Sequence, residues 1–140
     1  MKTIIISIVE VELIAFLLAK KLMKFNEPIP DFNTRFPSIL ESCLATPFQK
    51  FTGKFLYKGL TKKTAVLFYL MIKNHPFKNG NKRIAMMSML YLLFKNGKWM
   101  ESDNQVLYNF AKWIAASDPS VKNATVLAIE KFLSDHLSDL

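Results

Sequence analysis

The stretch His75-Pro76-Phe77-Lys78-Asn79-Gly80-Asn81-Lys82-Arg83 separates two strongly apolar segments of this 140-residue chain. These segments, at about 60–74 and about 82–96, have the length and apolar content of core helices. The first must end near Asn74, because the residue before a proline disfavours helical geometry. Gly97 is a suitable stop for the second. The stretch is therefore predicted to be a loop that carries His75 from one core helix to the next.

Capping signals predict the helices of the first third of the chain. Ser7 and Glu10 have the spacing of a capping box, which begins a first helix at about 7–24. Prolines in the following segment predict a loop from about residue 25 onward. Pro37 then suits the first turn of a short helix at about 37–45.

The last third of the chain carries two further helix starts. Ser102 and Gln105 have capping-box spacing for a helix that ends at about Ser117. Asp118 followed by Pro119 is an N-cap with proline at the first helical position, which predicts the final helix.

One short region is typical of β-structure. Aromatic residues flank a Thr52-Gly53 turn signal at about 48–57, which predicts a small β-hairpin. An isolated hairpin is only marginally stable, so this one must lean on the helices. The chain has no repeat or flexible linker. We therefore predict a single all-α domain over residues 1–140, a compact bundle of about six helices with one hairpin.

Composition narrows the classes of function. The net charge is +8, and the 59 residues from Ser42 to Met100 contain no Asp or Glu, which predicts a local positive field and an anionic partner. The only cysteine, Cys43, is expected to be a small buried residue rather than a nucleophile. Glu10 and Glu12 interrupt the apolar N-terminus, which argues against a signal peptide or a membrane span. We expect a cytoplasmic protein.

The loop itself has the residues for phosphate chemistry. A histidine titrates near neutral pH, so His75 is the candidate general base for a hydroxyl nucleophile. Phe77 is expected to point inward and anchor the loop. The start of the next helix is an anion site, and Lys82 and Arg83 there are unfavourable for the helix dipole unless an anion intervenes. The pattern predicts a bound phosphate; the alternative is a helix–loop–helix turn with solvated lysines and an incidental histidine.

The same stretch resembles the signature of the Fic/Doc (Fido) family. That signature runs His, any residue, Phe, any residue, an acidic residue or Asn, Gly or Ala, Asn, Gly or Lys, and Arg, and residues 75–83 agree at seven positions. Residues 36–47 also resemble the segment before the flap of death-on-curing proteins, so the resemblance covers about 1–135. It implies a helical Fic/Doc fold with a hairpin flap, and an enzyme that modifies protein hydroxyls with ATP and Mg²⁺.

The resemblance assigns roles to the site residues. His75 would be the base, Gly80 and Asn81 would contact phosphate, and Lys82 and Arg83 would hold phosphate during transfer. Asn79 occupies the place of the family's acidic metal ligand, where its amide oxygen could contact Mg²⁺ less strongly than a carboxylate does.

Two positions separate the subtypes of the family. AMP-transferring members generally have glycine at the position of Lys82 and a second arginine at that of Met86. Both differences favour the death-on-curing (Doc) type, which transfers a phosphate from ATP to a hydroxyl of a target protein. AMP transfer remains the nearest alternative.

The resemblance also suggests partners. The family precedent for a target is a translation factor, elongation factor Tu. No inhibitory-helix motif is found in the sequence, so a separate antitoxin protein is the expected source of control. The hairpin would be the flap, with Lys50, Lys54 and Lys58 meeting the target or the nucleotide, unless they only form a solvated edge.

A non-catalytic basic binding module is the remaining alternative, with Asn79 as the mark of a decayed site. Such a module would bind nucleic acid or an acidic partner, and nucleic-acid binding would weaken steeply with salt. Charge alone gives no reason for the order from His75 to Arg83, so a nucleic-acid partner is the less favoured interpretation.

Overall fold

A computed structural model describes residues 2–22 and 28–140 of the chain. These residues form six helices and two small antiparallel hairpins, which confirms the predicted all-α class and helix number. The helices are α1 (Ile8–Glu10, Val11–Phe16 and Leu17–Leu22 in succession), α2 (Pro37–Ala45), α3 (Leu60–Lys73), α4 (Asn81–Lys95), α5 (Asn104–Ala116) and α6 (Lys122–His136). The strands are β1 (Lys50–Phe51), β2 (Lys54–Phe55), β3 (Lys98–Met100) and β4 (Leu137–Asp139), and short 3₁₀ segments span Phe32–Thr34, Thr46–Phe48 and Pro119–Val121. Nowhere in the described ranges does a helix have the length and apolar content needed to cross a membrane.

Helices α3 and α4 form the centre of the fold, as predicted. Residues 63–72 of α3 are all buried, and so is most of α4, because apolar side chains occur all around both helices. Helix α3 packs on α4 and α6, while α1 and α5 cover other sides of α4. Helix α3 ends at Lys73 with Asn74 as its C-cap, and Gly97 follows the C-cap of α4 with a φ of +78°. The methionines of α4 pack in this core.

Helix α1 begins with the predicted capping box. The Glu10 amide donates to Ser7 Oγ at 3.2 Å, and the Ser7 amide donates to Glu10 Oε1 at 3.0 Å. The central stretch Val11–Phe16 is π-helical, a local widening that the sequence did not predict. The predicted end of this helix at about residue 24, and the start of the next loop at residue 25, lie outside the described residues.

The predicted hairpin is present, with Lys50 opposite Phe55 and Phe51 opposite Lys54. Its turn residues, Thr52 and Gly53, have φ values of +50° and +78°, as a tight two-residue turn requires. The hairpin leans on α3 through a buried lysine. Lys63 donates from Nζ to the carbonyl oxygen of Tyr57 at 2.7 Å and lies 4.1 Å from the centre of the Phe55 ring.

The start of α5 differs from the prediction. The N-cap is Asp103, whose carboxylate accepts the Gln105 amide at 2.6 Å. The predicted capping box at Ser102 is therefore wrong, because the Gln105 amide donates to the Asp103 carboxylate and not to the Ser102 hydroxyl. The Asp118 N-cap is confirmed by a 2.9 Å bond from the Ser120 amide, and the 3₁₀ turn Pro119–Val121 leads into α6.

A second hairpin was not predicted. Strand β3 follows α4 and pairs with β4 at the end of α6, with Trp99 opposite Ser138 and an ion pair between Lys98 and Asp139. Three-residue strands are too short to show an alternating pattern in the sequence. The pairing nevertheless connects residues Leu137–Asp139 to the segment that directly follows α4.

Candidate active site

The loop between α3 and α4 begins at a strained residue. His75 has a φ of +49°, in the left-handed region that few side-chain-bearing residues adopt. The next residue is held from another element, because the Phe36 amide at the start of α2 donates to the Pro76 carbonyl oxygen at 2.9 Å. The exposed His75 ring is therefore carried between the capped end of α3 at Asn74 and the Pro76 carbonyl that α2 holds.

Phe77 anchors the loop in the core, as predicted. Its side chain is 1% exposed, and its ring centre lies 5.8 Å from that of Phe16 and 5.9 Å from that of Phe32. These contacts join the loop to α1 and to the 3₁₀ segment before α2. A phenylalanine is thus required here for packing rather than for chemistry.

Asn81, the first residue of α4, closes the loop with its side chain. Its Oδ1 accepts the Phe77 amide at 3.0 Å, and its Nδ2 donates to the Phe77 carbonyl oxygen at 2.9 Å. The same Nδ2 lies 3.4 Å from Nδ1 of His75. The Asn81 side chain, only 7% exposed, connects the loop anchor to the candidate base.

Gly80 allows another segment to approach the loop closely. It has a φ of +73°, and a Cβ added there would lie 2.8 Å from Cγ1 of Ile29. Its amide donates to Oδ1 of Asn79 at 2.9 Å. Glycine is therefore needed for both its backbone angle and the contact with Ile29.

A cavity of about 210 Å³ lies beside His75. Its polar lining consists of His75, Lys78, Asn79, Asn81 and Lys82, all from the loop or the first turn of α4. Helix α4 has Gly80 as its N-cap, without a side-chain cap and with no acidic residue in its first turn. A helix start of this kind attracts anions, because its amides carry partial positive charge. The cavity therefore places the His75 ring beside a helix start of the kind that attracts anions.

The loop, α3 and most of α4 lie within a match to a known protein family. Residues 10–93, more than half of the chain, match the model of the Fic/DOC family. The chain belongs to the Fic/DOC family. Members of this family generally transfer nucleotide-derived groups to proteins, with ATP and commonly Mg²⁺. No curated protein and no solved structure matches the chain.

The structure brings some of the predicted Fic/DOC site residues together and separates others. His75, Asn79, Asn81 and Lys82 line one cavity, whereas Gly80 and Arg83 are not among its lining residues. The Arg83 side chain is 5% exposed at the start of α4. The roles assigned to these residues in transfer and in nucleotide binding remain predictions.

Sequence reasoning missed Lys78 and Lys73. Lys78 lines the cavity from a position where the family signature accepts any residue, so the motif could not single it out. Lys73 donates from Nζ to the carbonyl oxygens of Ala115 at 3.2 Å and Ser117 at 2.6 Å. This interaction holds the end of α5, where Ala115 forms part of the cavity wall. A lysine near a helix C-terminus was the only available signal.

The positive charge of the acid-free segment, residues 42–100, is partly neutralised by acids from other parts of the fold. Within residues 2–22 and 28–140, acids from outside the segment pair with Lys62 (Glu130, 2.8 Å), Lys95 (Glu10, 2.7 Å) and Lys98 (Asp139). Two more lysines donate to backbone carbonyls, at the hairpin and at the end of α5. At the cavity, the lysines in the lining are Lys78 and Lys82.

The donor set does not fit a metal held by the protein. No carboxylate is among the residues that line the cavity, and the described ranges contain no cluster of three or more His, Cys, Asp or Glu side chains with suitable placement. Asn79 could offer only its amide oxygen, a neutral ligand that also accepts the Gly80 amide. Mg²⁺ in such enzymes takes oxygen ligands from carboxylates and phosphates. The predicted role of Asn79 as a metal ligand therefore has weak chemical support.

Proposed function

We propose that this Fic/DOC protein transfers a phosphate from ATP to a serine or threonine hydroxyl of a target protein, with His75 as general base. The observation that carries the proposal is the cavity at the start of α4, where a histidine and two lysines line the same space. That space has the charge and the proton acceptor that phosphate transfer to a hydroxyl needs.

The volume of the cavity suits only part of a nucleotide. Whole-ligand sites usually span about 300–1,000 Å³, and this cavity is about 210 Å³. It suits the phosphate tail, with the nucleoside outside it. Lys78 and Lys82 would balance the phosphate charge, and the first amides of α4 would contact its oxygens.

The reaction needs one proton transfer and one displacement. The target O–H bond breaks as His75 takes the proton, and the oxygen attacks phosphorus. The bond between that phosphorus and its leaving oxygen breaks, so ADP departs with the electron pair. Lys82 would stay close to the charge that develops on the phosphate.

Two positions favour phosphate over AMP transfer. Lys82 brings a side chain into the cavity at the position where AMP-transferring relatives generally have glycine. Met86 stands where such relatives have a second arginine, and it is fully buried in the core. It can neither reach nor bind a terminal phosphate. AMP transfer remains the alternative that the experiment must separate.

The partners belong to the same proposal. Elongation factor Tu is the proposed type of target, and a separate antitoxin is the proposed source of control, both on the ground of the family resemblance. The β1–β2 hairpin would align the target, since Lys50, Phe51 and Lys54 are exposed along it.

Mass spectrometry of cell-extract proteins incubated with ATP and Mg²⁺ tests the proposal. Wild-type protein should add a phosphate to a target hydroxyl, and His75→Ala should abolish that addition. His136→Gln is the matched control, because the other histidine stacks on Phe132 outside the cavity. Addition of a whole adenylate would identify the AMP-transferring alternative. Salt-sensitive nucleic-acid binding without any modification would support the binding module.

A further inference from the structure

The hydrogen bonds of Asn81 define which way its amide points. The Phe77 amide can only donate, so its partner at 3.0 Å must be the Asn81 oxygen. The Phe77 carbonyl can only accept, so its partner at 2.9 Å must be the Asn81 NH₂ group. The oxygen and nitrogen of this side chain cannot be exchanged without breaking both bonds.

This orientation has a consequence for His75. The NH₂ group of Asn81 has a second hydrogen, and its nitrogen lies 3.4 Å from His75 Nδ1. A group that only donates stabilises an acceptor opposite it, so Nδ1 must present its lone pair. In neutral His75 the proton is then on Nε2.

We infer that Asn81 is a positioning residue that fixes the tautomer of His75, with the proton on Nε2 and the basic lone pair on Nδ1. The catalytic consequence rests on the proposed transferase function. The base nitrogen is then the one facing Asn81, and the target hydroxyl must approach along the cavity side that both residues line.

The 3.4 Å contact is longer than an ordinary hydrogen bond, so the Nδ1 lone pair can exchange Asn81 for that hydroxyl at little cost. An oxygen at ordinary hydrogen-bond distance, about 2.9 Å, from both nitrogens would accept from Asn81 Nδ2 and donate to His75 Nδ1. As the O–H bond breaks and the Nδ1–H bond forms, the Asn81 N–H stabilises the negative charge on the oxygen. The charged ring then carries protons on both nitrogens.

His136, the other histidine of the chain, provides an internal comparison for the tautomer of His75. Nδ1 of His136 lies 2.7 Å from the Phe132 carbonyl oxygen, which can only accept. His136 must therefore carry its proton on Nδ1. With only two histidines in the chain, the structure assigns opposite tautomers to them.

Nitrogen-15 NMR of the imidazole rings tests the inference in the protein without nucleotide, at about pH 8.5, well above the ordinary histidine pKa. A short unstructured histidine peptide supplies the reference mixture of tautomers. Wild-type His75 should show more of the Nε2–H form than the reference, by about fivefold if the contact contributes one ordinary hydrogen bond. His136 should show the Nδ1–H form.

Two variants distinguish tautomer control from simple support of the loop. Asn81→Asp keeps the acceptor for the Phe77 amide, loses the donor to the Phe77 carbonyl and presents an oxygen to His75, so it should shift the ring to the Nδ1–H form. Asn81→Ala should return His75 to the reference mixture. A wild-type His75 in the Nδ1–H form, or one that matches the reference peptide, would overturn the inference. Because no reaction is needed, the inference and the proposed transferase can fail separately.

Discussion

Replacing Gly80 with alanine should destabilise the protein by more than its backbone angle explains. A left-handed residue costs an L-amino acid roughly 1–2 kcal/mol, and Gly80 has a φ of +73°. The added Cβ would also lie 2.8 Å from Ile29 Cγ1 and 3.4 Å from the Pro28 carbonyl oxygen. Such crowding typically costs about 1–3 kcal/mol. We expect Gly80→Ala to lower the free energy of unfolding by about 2–5 kcal/mol.

Gly53→Ala is the matched control. Gly53 has nearly the same φ, +78°, but an added Cβ meets nothing within 4 Å. Its replacement should cost only the angular part, roughly 1–2 kcal/mol. Urea denaturation of both variants measures the difference. In a double-mutant cycle, Ile29→Ala should relieve the crowding, with a coupling free energy of about 1–3 kcal/mol. Equal costs for the two glycines, or strict additivity with Ile29, would refute the reasoning.

Three other predictions concern groups outside the cavity. Lys63→Met should remove the contacts that attach the β1–β2 hairpin to α3. It should lower the free energy of unfolding by about 1–3 kcal/mol and speed hydrogen exchange of the hairpin amides. Lys54→Met, at an exposed position of the hairpin, should leave that exchange unchanged. Burial alone would raise the pKa of Glu10, but hydrogen bonds from Lys95, the Ser7 amide and Tyr91 hold the pKa below its ordinary 4.5. Wild type should therefore have a higher free energy of unfolding than Glu10→Gln, as measured by urea denaturation. The difference should be complete above pH 4.5 and should disappear as the pH falls below the native pKa of Glu10. A difference that stays constant at all pH values would contradict this prediction. Burial raises the pKa of the Cys43 thiol to about 11, so it should resist iodoacetamide at pH 8 until the protein unfolds; rapid labelling of folded protein would contradict it.

The parts of the fold that depend on long patterns could be predicted from the sequence. The two core helices follow from continuous apolar segments, and the loop between them follows from Pro76 and Gly80. The inward position of Phe77 in the loop and the burial of Cys43 in α2 were also predicted, since both side chains are apolar in character. These features need only local sequence and the preference of apolar groups for the interior.

Features that depend on distant partners could not be predicted. The β3–β4 hairpin requires the chain's last residues to return to the exit of α4, and no local signal encodes that contact. Lys63 and Lys73 are lysines that the sequence places in a solvated basic segment, yet they donate to carbonyls of other elements. Lys78 enters the site only because the loop turns its position toward the cavity. In each case, tertiary geometry decides what a basic residue contacts.

Titration with ATP, followed by NMR on backbone amides and by calorimetry, tests the central claim most directly. The largest shifts are expected at the polar lining of the cavity, which is His75, Lys78, Asn79, Asn81 and Lys82. Lys78→Ala or Lys82→Ala should each raise the Kd for ATP by about 10- to 150-fold, which corresponds to the loss of one charge-assisted hydrogen bond. Lys131→Ala, at an exposed position of α6 that does not line the cavity, should bind ATP as the wild type does. Absence of ATP binding, or shifts confined to another surface, would contradict the claim that this cavity holds the phosphate tail.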